Sequence, residues 1–302
     1  MDRVLQSFKN LFKCENTFKR HLYYVLLLIL PAIAYSLASY VDKDTPKTIV
    51  ITLFILAAIV GLVAIVPTIF TLGYSLKFIK DRLDSVLGFP MFSSDMFKKG
   101  LKLLPLYVTW GLYFAILFLL VLVVPFALVF AFSTHGASTA VAVILVILTI
   151  LVEILISMAI CILVAPFVSY IFIEFAKDET YRAKYFNPLT IFGYIKKAFP
   201  ETVTVTLKFI LATLLINMVT GLLTGSLILA SFLITATAVM LAPDNATDKI
   251  EYQPLVMTFM IFITSISAII QAYGSSLVGF AATENYVEVY KHLIEEQENT
   301  EV

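Results

Sequence analysis

Residues 140–173 read AVAVILVILTILVEILISMAICILVAPFVSYIFI, a run whose only charged residue is Glu153. Crossing the hydrocarbon of a bilayer takes about 20 apolar residues in a helix, because no water is present there to satisfy backbone N–H and C=O groups. The run therefore reads as a membrane span. The same criterion applied outward finds five more, at 21–40, 49–76, 106–132, 209–242 and 255–282. The composition agrees: 60% of the chain is hydrophobic, 14% is charged, and mean hydropathy is +0.95, against roughly 45–50% apolar residues in soluble domains. The expected fold class is all-α, a single polytopic membrane domain of six transmembrane helices. The gaps between spans are too short for a separate soluble domain.

The gaps also set an orientation, since Lys and Arg resist translocation. Of 21 Lys and Arg residues, 18 fall on one side of the expected spans. They are Arg3, Lys9, Lys13, Lys19 and Arg20 before the first span, six between 77 and 102, six between 177 and 208, and Lys291. The other side holds Lys43, Lys47 and Lys249. Both termini are expected in the cytoplasm of a cell-membrane protein. The first span is read as an uncleaved anchor, because 20 residues precede it and it is long for the apolar core of a signal peptide. A formal net charge of zero gives no pointer to nucleic acid. Two cysteines, Cys14 and Cys161, suggest no disulfide framework.

A pattern recurs along the chain: an amphipathic stretch, a basic pair, a span, a tight outer loop and a second span. The basic pairs are Lys19-Arg20, Lys98-Lys99 and Lys196-Lys197, and Lys80-Asp81 recurs as Lys177-Asp178. Three successive helical hairpins, about 1–80, 91–178 and 187–291, are the simplest account. The amphipathic stripes are Leu5, Phe8, Leu11 and Phe12; then Phe92, Met96, Phe97, Leu101 and Leu104; then Ile191, Phe192, Ile195 and Phe199. Ser94 and Asp95 start the second, and Asn187-Pro188 starts the third. Two placements are open. Such helices lie in the headgroup plane with lysines toward anionic lipid, or they cap the bundle from the cytoplasm. The first placement makes Lys98, Lys99, Lys102, Lys196 and Lys197 headgroup contacts.

The run Gly73-Tyr74-Ser75-Leu76-Lys77-Phe78-Ile79-Lys80, the Phe89-Pro90-Met91-Phe92 turn and the segment Asp95-Met96-Phe97-Lys98-Lys99-Gly100-Leu101-Lys102 resemble the DUF4013 family of prokaryotic membrane proteins. The resemblance is sharpest over 60–110 and extends through 175–200. It implies an integral membrane fold and brings no activity, substrate or catalytic residue with it.

Motifs for chemistry are missing. The chain has no His-Glu-x-x-His, no Gly-x-Ser-x-Gly, no phosphate loop and no Cys-x-x-Cys. His21 and His292 fall on the inner side and His135 on the outer, so the three do not cluster on one side. Asp81 and Asp84 sit beside Lys80 and Arg82 and read as a solvated connector. No enzyme activity, cofactor or metal is expected.

Two polar features lie within spans. Glu153 is about 20 Å from the outer end of its run at 1.5 Å per residue, where a charge costs a few kcal/mol unless paired, protonated or wet. It reads either as a coupling carboxylate of a transporter or as a structural Glu bonded to neighbouring helices. Thr213, Asn217, Thr220 and Thr224 follow one helical course beside the Gly221-x-x-x-Gly225 motif, and Thr264, Ser267, Gln271 and Ser275 follow another. These stripes line a polar path or, as small and hydroxylated residues do more often, mark close helix packing. Pro67, Pro125 and Pro166 permit kinks.

Three function classes result. The first is a non-enzymatic protein that organises or assembles membrane partners or lipids. The second is a transporter or channel using Glu153, Asn217, Thr220 and Gln271. The third, a lipid-active enzyme, lacks any residue constellation. Expected partners are anionic lipids of the inner face and a membrane protein or second copy.

Overall fold

A computed structural model describes residues 2–38, 47–134, 139–241 and 246–295. In chain order the helices are α1 (Asp2–Leu11), α2 (Thr17–Ala38), α3 (Lys47–Leu83), α4 (Asp95–Thr134), α5 (Thr139–Leu163), α6 (Ala165–Asp178), α7 (Thr190–Leu241) and α8 (Ala246–Val289). A 3₁₀ turn, Ala183–Phe186, precedes α7, and a π turn, Tyr290–Glu295, follows α8. No strand occurs among the described residues, so the all-α class holds. The expected loop 133–139, the outer lysine Lys43 and His135 fall wholly or partly outside them.

Among the described residues, four stretches are long and apolar enough to cross a membrane: Asp95–Val121, Val146–Asp178, Thr190–Leu233 and Ser265–Leu293. The helices are long. At 1.5 Å per residue the 40 residues of α4 measure about 60 Å, roughly twice the hydrocarbon thickness. The 25 residues of α5 measure about 37 Å, enough to cross the hydrocarbon alone, whereas the expected fourth span, 140–173, runs on into α6.

Two breaks in the helices have clear causes, one of them at the expected Pro166. Val164 separates α5 from α6, and Pro166 in the first turn of α6 has no N–H to continue the ladder of α5. Ala198 departs from helical geometry (φ −137°, ψ 23°) two residues before Pro200, which divides α7 into a short first stretch and a long one. Pro67, by contrast, stays inside α3, which continues past it to Leu83.

The second amphipathic stretch is not a separate connector helix. Residues 91–94 are irregular and α4 runs from Asp95 onward in one course. Its stripe also differs: Met96, Leu103 and Leu106 are buried, whereas Leu101 is exposed.

The chain folds as two compact units, one of 1–75, 87–100 and 209–282, the other of 76–86, 101–208 and 283–302. In the first unit, α3 and α4 approach to backbone contact. A Cβ on Gly73 would stand 1.7 Å from the Met96 carbonyl oxygen, and one on Gly100 would stand 1.8 Å from that of Ile69. Only glycine fits either place. Gly88 adopts φ +87°, where L side chains are strained, with Cys14 against it. Its N–H donates to Asn10 O at 3.1 Å, and the N–H of Phe89 donates to Cys14 Sγ at 3.2 Å. Tyr74, fully buried, packs on Tyr24, Phe92 and Phe280.

Candidate functional site

The polar stripes of α7 and α8 meet in the first unit. Thr220 Oγ1 donates to Gln271 Oε1 at 2.7 Å, Gln271 Nε2 donates to Asn217 Oδ1 at 2.9 Å, and Ser275 Oγ donates to the same oxygen at 3.3 Å. Gly274 supplies the close approach, since a Cβ there would fall 2.8 Å from Ile216. Thr213 and Thr224 bond back to their own helix instead. Gly221 and Gly225 are exposed, and a Cβ on either would meet nothing within 4 Å. The expectation that they form the packing seam is therefore corrected: the seam runs through Gly274, because that is where α8 faces α7.

Glu153 belongs to the second unit. Its residue is 9% exposed, and Oε1 has no hydrogen-bond partner. It takes part in no ion pair among the described residues. Around it on α5, Ile150, Leu151, Val152, Ile154, Leu155 and Ile156 are all exposed. A buried carboxyl oxygen without a protein partner is costly, so the expectation of a bonded structural Glu finds no support at Oε1.

The basic residues expected at headgroups are arranged unequally. Lys98 and Lys196 are exposed, Lys197 is partly buried, and Lys99 pairs with Asp95 at 3.1 Å. Lys102 donates to Glu179 at 2.9 Å, and Lys80 donates to the other oxygen of the same carboxylate at 3.3 Å. Burial alone would raise the Glu179 carboxyl, but the hydrogen bonds and charges of Lys102 and Lys80 outweigh it and hold it below its usual value.

Sequence reading missed the densest polar cluster of the second unit. Arg82 Nε donates to Glu284 at 3.0 Å with both side chains 3% exposed, and the guanidinium lies 4.6 Å from the Phe78 ring centroid. Glu174, also buried, accepts from Lys184 and Tyr194. Tyr170 and Thr202 share a hydrogen bond of 2.6 Å, and Thr206 and Tyr286 one of 3.0 Å. Burial, then the charge of Glu174, pushes the Tyr185 phenol up to about 12. The available signal was the polar tail of runs already long enough to span: Glu174 lies beyond the length α5 needs, and Glu284 lies past the end of the expected sixth span.

His21 was also passed over. It is fully buried among Phe89, Tyr273, Phe280 and Tyr24, with ring centroids at 4.5–6.1 Å. Its Nε2 meets Ser276 Oγ at 2.9 Å and Tyr273 O at 3.3 Å, while Nδ1 has no partner. No group of three His, Cys, Asp or Glu able to hold a metal occurs among the described residues. Asp81 and Asp84 contribute to none.

The second unit also carries an apolar groove of about 340 Å³. One wall is α4 from Trp110 to Leu120, and another is the first stretch of α7 with Ile191, Phe192 and Ile195. Trp110 Nε1 donates to Tyr185 O and Tyr113 OH to Phe186 O, each at 2.9 Å. Their polar atoms are thus turned onto the chain at 185–186.

Residues 53–229 match the family model described as a protein of unknown function, DUF4013, which is more than half of the chain. The chain belongs to this family. No curated protein and no solved structure matches it. Three of the residues that carry the DUF4013 resemblance, Gly73, Met96 and Gly100, are those of the backbone contact between α3 and α4, and Tyr74 fills the core beside it. In this DUF4013 chain the matched motif builds a helix crossing.

Proposed function

We propose that this protein is a non-enzymatic integral membrane protein that organises lipid or partner helices, spanning the membrane six times as three hairpins with both termini in the cytoplasm. One observation carries the reading: the spans leave most of their apolar surface uncovered by the chain. Only 11% of the most apolar stretch within 95–121 and 12% of that within 146–178 are buried. Three of the four polar residues a solute path would use, Asn217, Thr220 and Gln271, are instead bonded to one another. Surface left open in a bilayer is covered by lipid tails or by another helix.

The test is extraction of the native protein with its surrounding bilayer, followed by identification of the co-isolated lipids and proteins. A lipid class or a protein enriched at fixed ratio to the chain is the expected result. Changing Lys98, Lys99, Lys196 and Lys197 together to Gln should lower retention of anionic lipid. Lipid recovered in bulk proportions, with no protein at fixed ratio, would sink the reading.

Glu153 supports a second reading, a transporter or channel, because its Oε1 is buried without a partner. Glu153→Gln separates the two in proteoliposomes. A folded variant that loses a measurable proton or cation flux favours transport; a silent one favours organisation. Under the first reading Glu153→Leu is neutral or stabilising, since no group bonded to Oε1 is stranded.

A further inference from the structure

The groove between α4 and the first stretch of α7 has a size, a depth and a charge that together specify a ligand. Its volume, about 340 Å³, lies within the roughly 300–1,000 Å³ of small-molecule sites. Its lining is apolar, because Trp110 and Tyr113 direct their hydrogen-bonding atoms to Tyr185 O and Phe186 O. From Trp110 to Leu120 the α4 wall rises about 15 Å at 1.5 Å per residue. That equals one leaflet of a hydrocarbon core about 30 Å thick. Trp110 and Tyr113 sit at the end nearer Asp95, the position at which aromatic residues mark a membrane interface.

The charge comes from the opposite wall. Ile191, Phe192 and Ile195 line the groove on one side of the short stretch before Ala198, and Lys196 follows directly. Nearby cations are occupied: Lys184 binds Glu174 and Arg182 binds Asp178. Lys196 is exposed and makes no hydrogen bond or ion pair among the described residues. An apolar slot about one leaflet long, with Trp110 and Tyr113 toward one end and an exposed lysine next in sequence to the lining residue Ile195, matches one occupant.

We infer that this groove is a specific site for an anionic phospholipid of the inner leaflet, with one acyl chain along α4 between Trp110 and Leu120 and the phosphate beside Lys196. The inference deepens the reading of a lipid-organising protein and rests on it. Every membrane protein is wetted by bulk lipid; this site differs in being saturable, selective for headgroup charge and confined to one place.

Trp110 is the chain's single tryptophan and forms the groove wall, so its fluorescence reports on the site. Full-length protein in detergent micelles is titrated with phosphatidylglycerol brominated on its acyl chains and, separately, with brominated phosphatidylcholine. Saturable quenching of Trp110 by phosphatidylglycerol is expected, half-complete at a several-fold lower mole fraction than with phosphatidylcholine. Lys196→Gln should remove that difference. Ile195→Glu, which puts a carboxylate in the slot, should leave only quenching linear in lipid, while Ile195→Leu keeps saturation and shows that the site tolerates a changed side chain when it stays apolar. Thermal unfolding of each variant checks folding. Linear quenching with both lipids, unchanged by Ile195→Glu, overturns the proposal, and so does saturable quenching indifferent to headgroup and to Lys196→Gln. Absent quenching with a concentration-dependent dimer overturns it in favour of a second copy as occupant. Total anionic lipid retained per protein is measured in parallel. Retention that survives loss of saturable quenching leaves the lipid-organising reading standing and removes the groove alone.

Discussion

Gly73 and Gly100 are defined by what stands opposite them. A methyl group on either would meet a carbonyl oxygen at less than 2 Å, and a backbone contact of that kind yields only if whole helices move apart. Gly73→Ala and Gly100→Ala should each lower the unfolding temperature in detergent, by the equivalent of ~1–3 kcal/mol for overpacking or more. Gly221→Ala and Gly225→Ala face open space and should be neutral or mildly stabilising, since alanine is the better helix former by roughly 1 kcal/mol. If all four behave alike, the helix crossing is wrongly placed. Sequence could pick out Gly73 and Gly100 as part of a family pattern, but not their reason. Spacing alone favoured Gly221 and Gly225, because a Gly-x-x-x-Gly stripe looks the same whether or not another helix lies on it.

Connections between elements depend on a few charged residues whose pairing spacing does not reveal. Glu179 just after α6 joins Lys80 near the end of α3 to Lys102 in α4. Its carboxyl is held below its ordinary value in the folded protein. A lowered folded value means that the unfolded chain binds the proton more readily, so the stabilisation is present above the unfolded pKa, near 4.3. It is lost as pH falls through the folded value. The unfolding temperature should therefore drop as pH falls below the unfolded value, and Glu179→Gln should reduce that drop while lowering stability at neutral pH. An unaltered acid profile in the variant would deny the tie its role. In sequence this residue was one acid beside the Lys177-Asp178 repeat mark, with nothing to single it out. The amphipathic stretch at 91–104 misled in a related way. Its helical period was real, but period does not report where a helix stops, and α4 continues through the expected boundary.

For the molecule as a whole, hydropathy was the readable property, because burial in lipid imposes a long, nearly uniform composition on each span. The all-helical class and the general positions of the helices were legible from it, and the motif around Gly73 and Gly100 carried the DUF4013 membership. The Arg82–Glu284 and Glu174 clusters were not legible, since their members look like ordinary connector residues and local sequence does not say which of them meet. Topology can be checked directly. On a background with Cys14 and Cys161 replaced by serine, single cysteines at Thr45 and Asp244 should react with an impermeant reagent applied outside, and those at Asp95 and Arg182 should react only after the membrane is opened. Reversed labelling would overturn the six-span map with inner termini.

The pairing of Arg82 with Glu284 also has a consequence in time. The two residues are 202 apart in the chain, and ribosomes add about 5–20 residues per second. Arg82 therefore exists for on the order of 10–40 s before its counter-charge has been made. Through that interval the guanidinium must stay hydrated outside the hydrocarbon, and its final burial waits on the arrival of α8. Biogenesis of this protein should thus pass through a nascent form with its early spans inserted and Arg82 still open to solvent, and a ribosome stalled before residue 284 would hold it there.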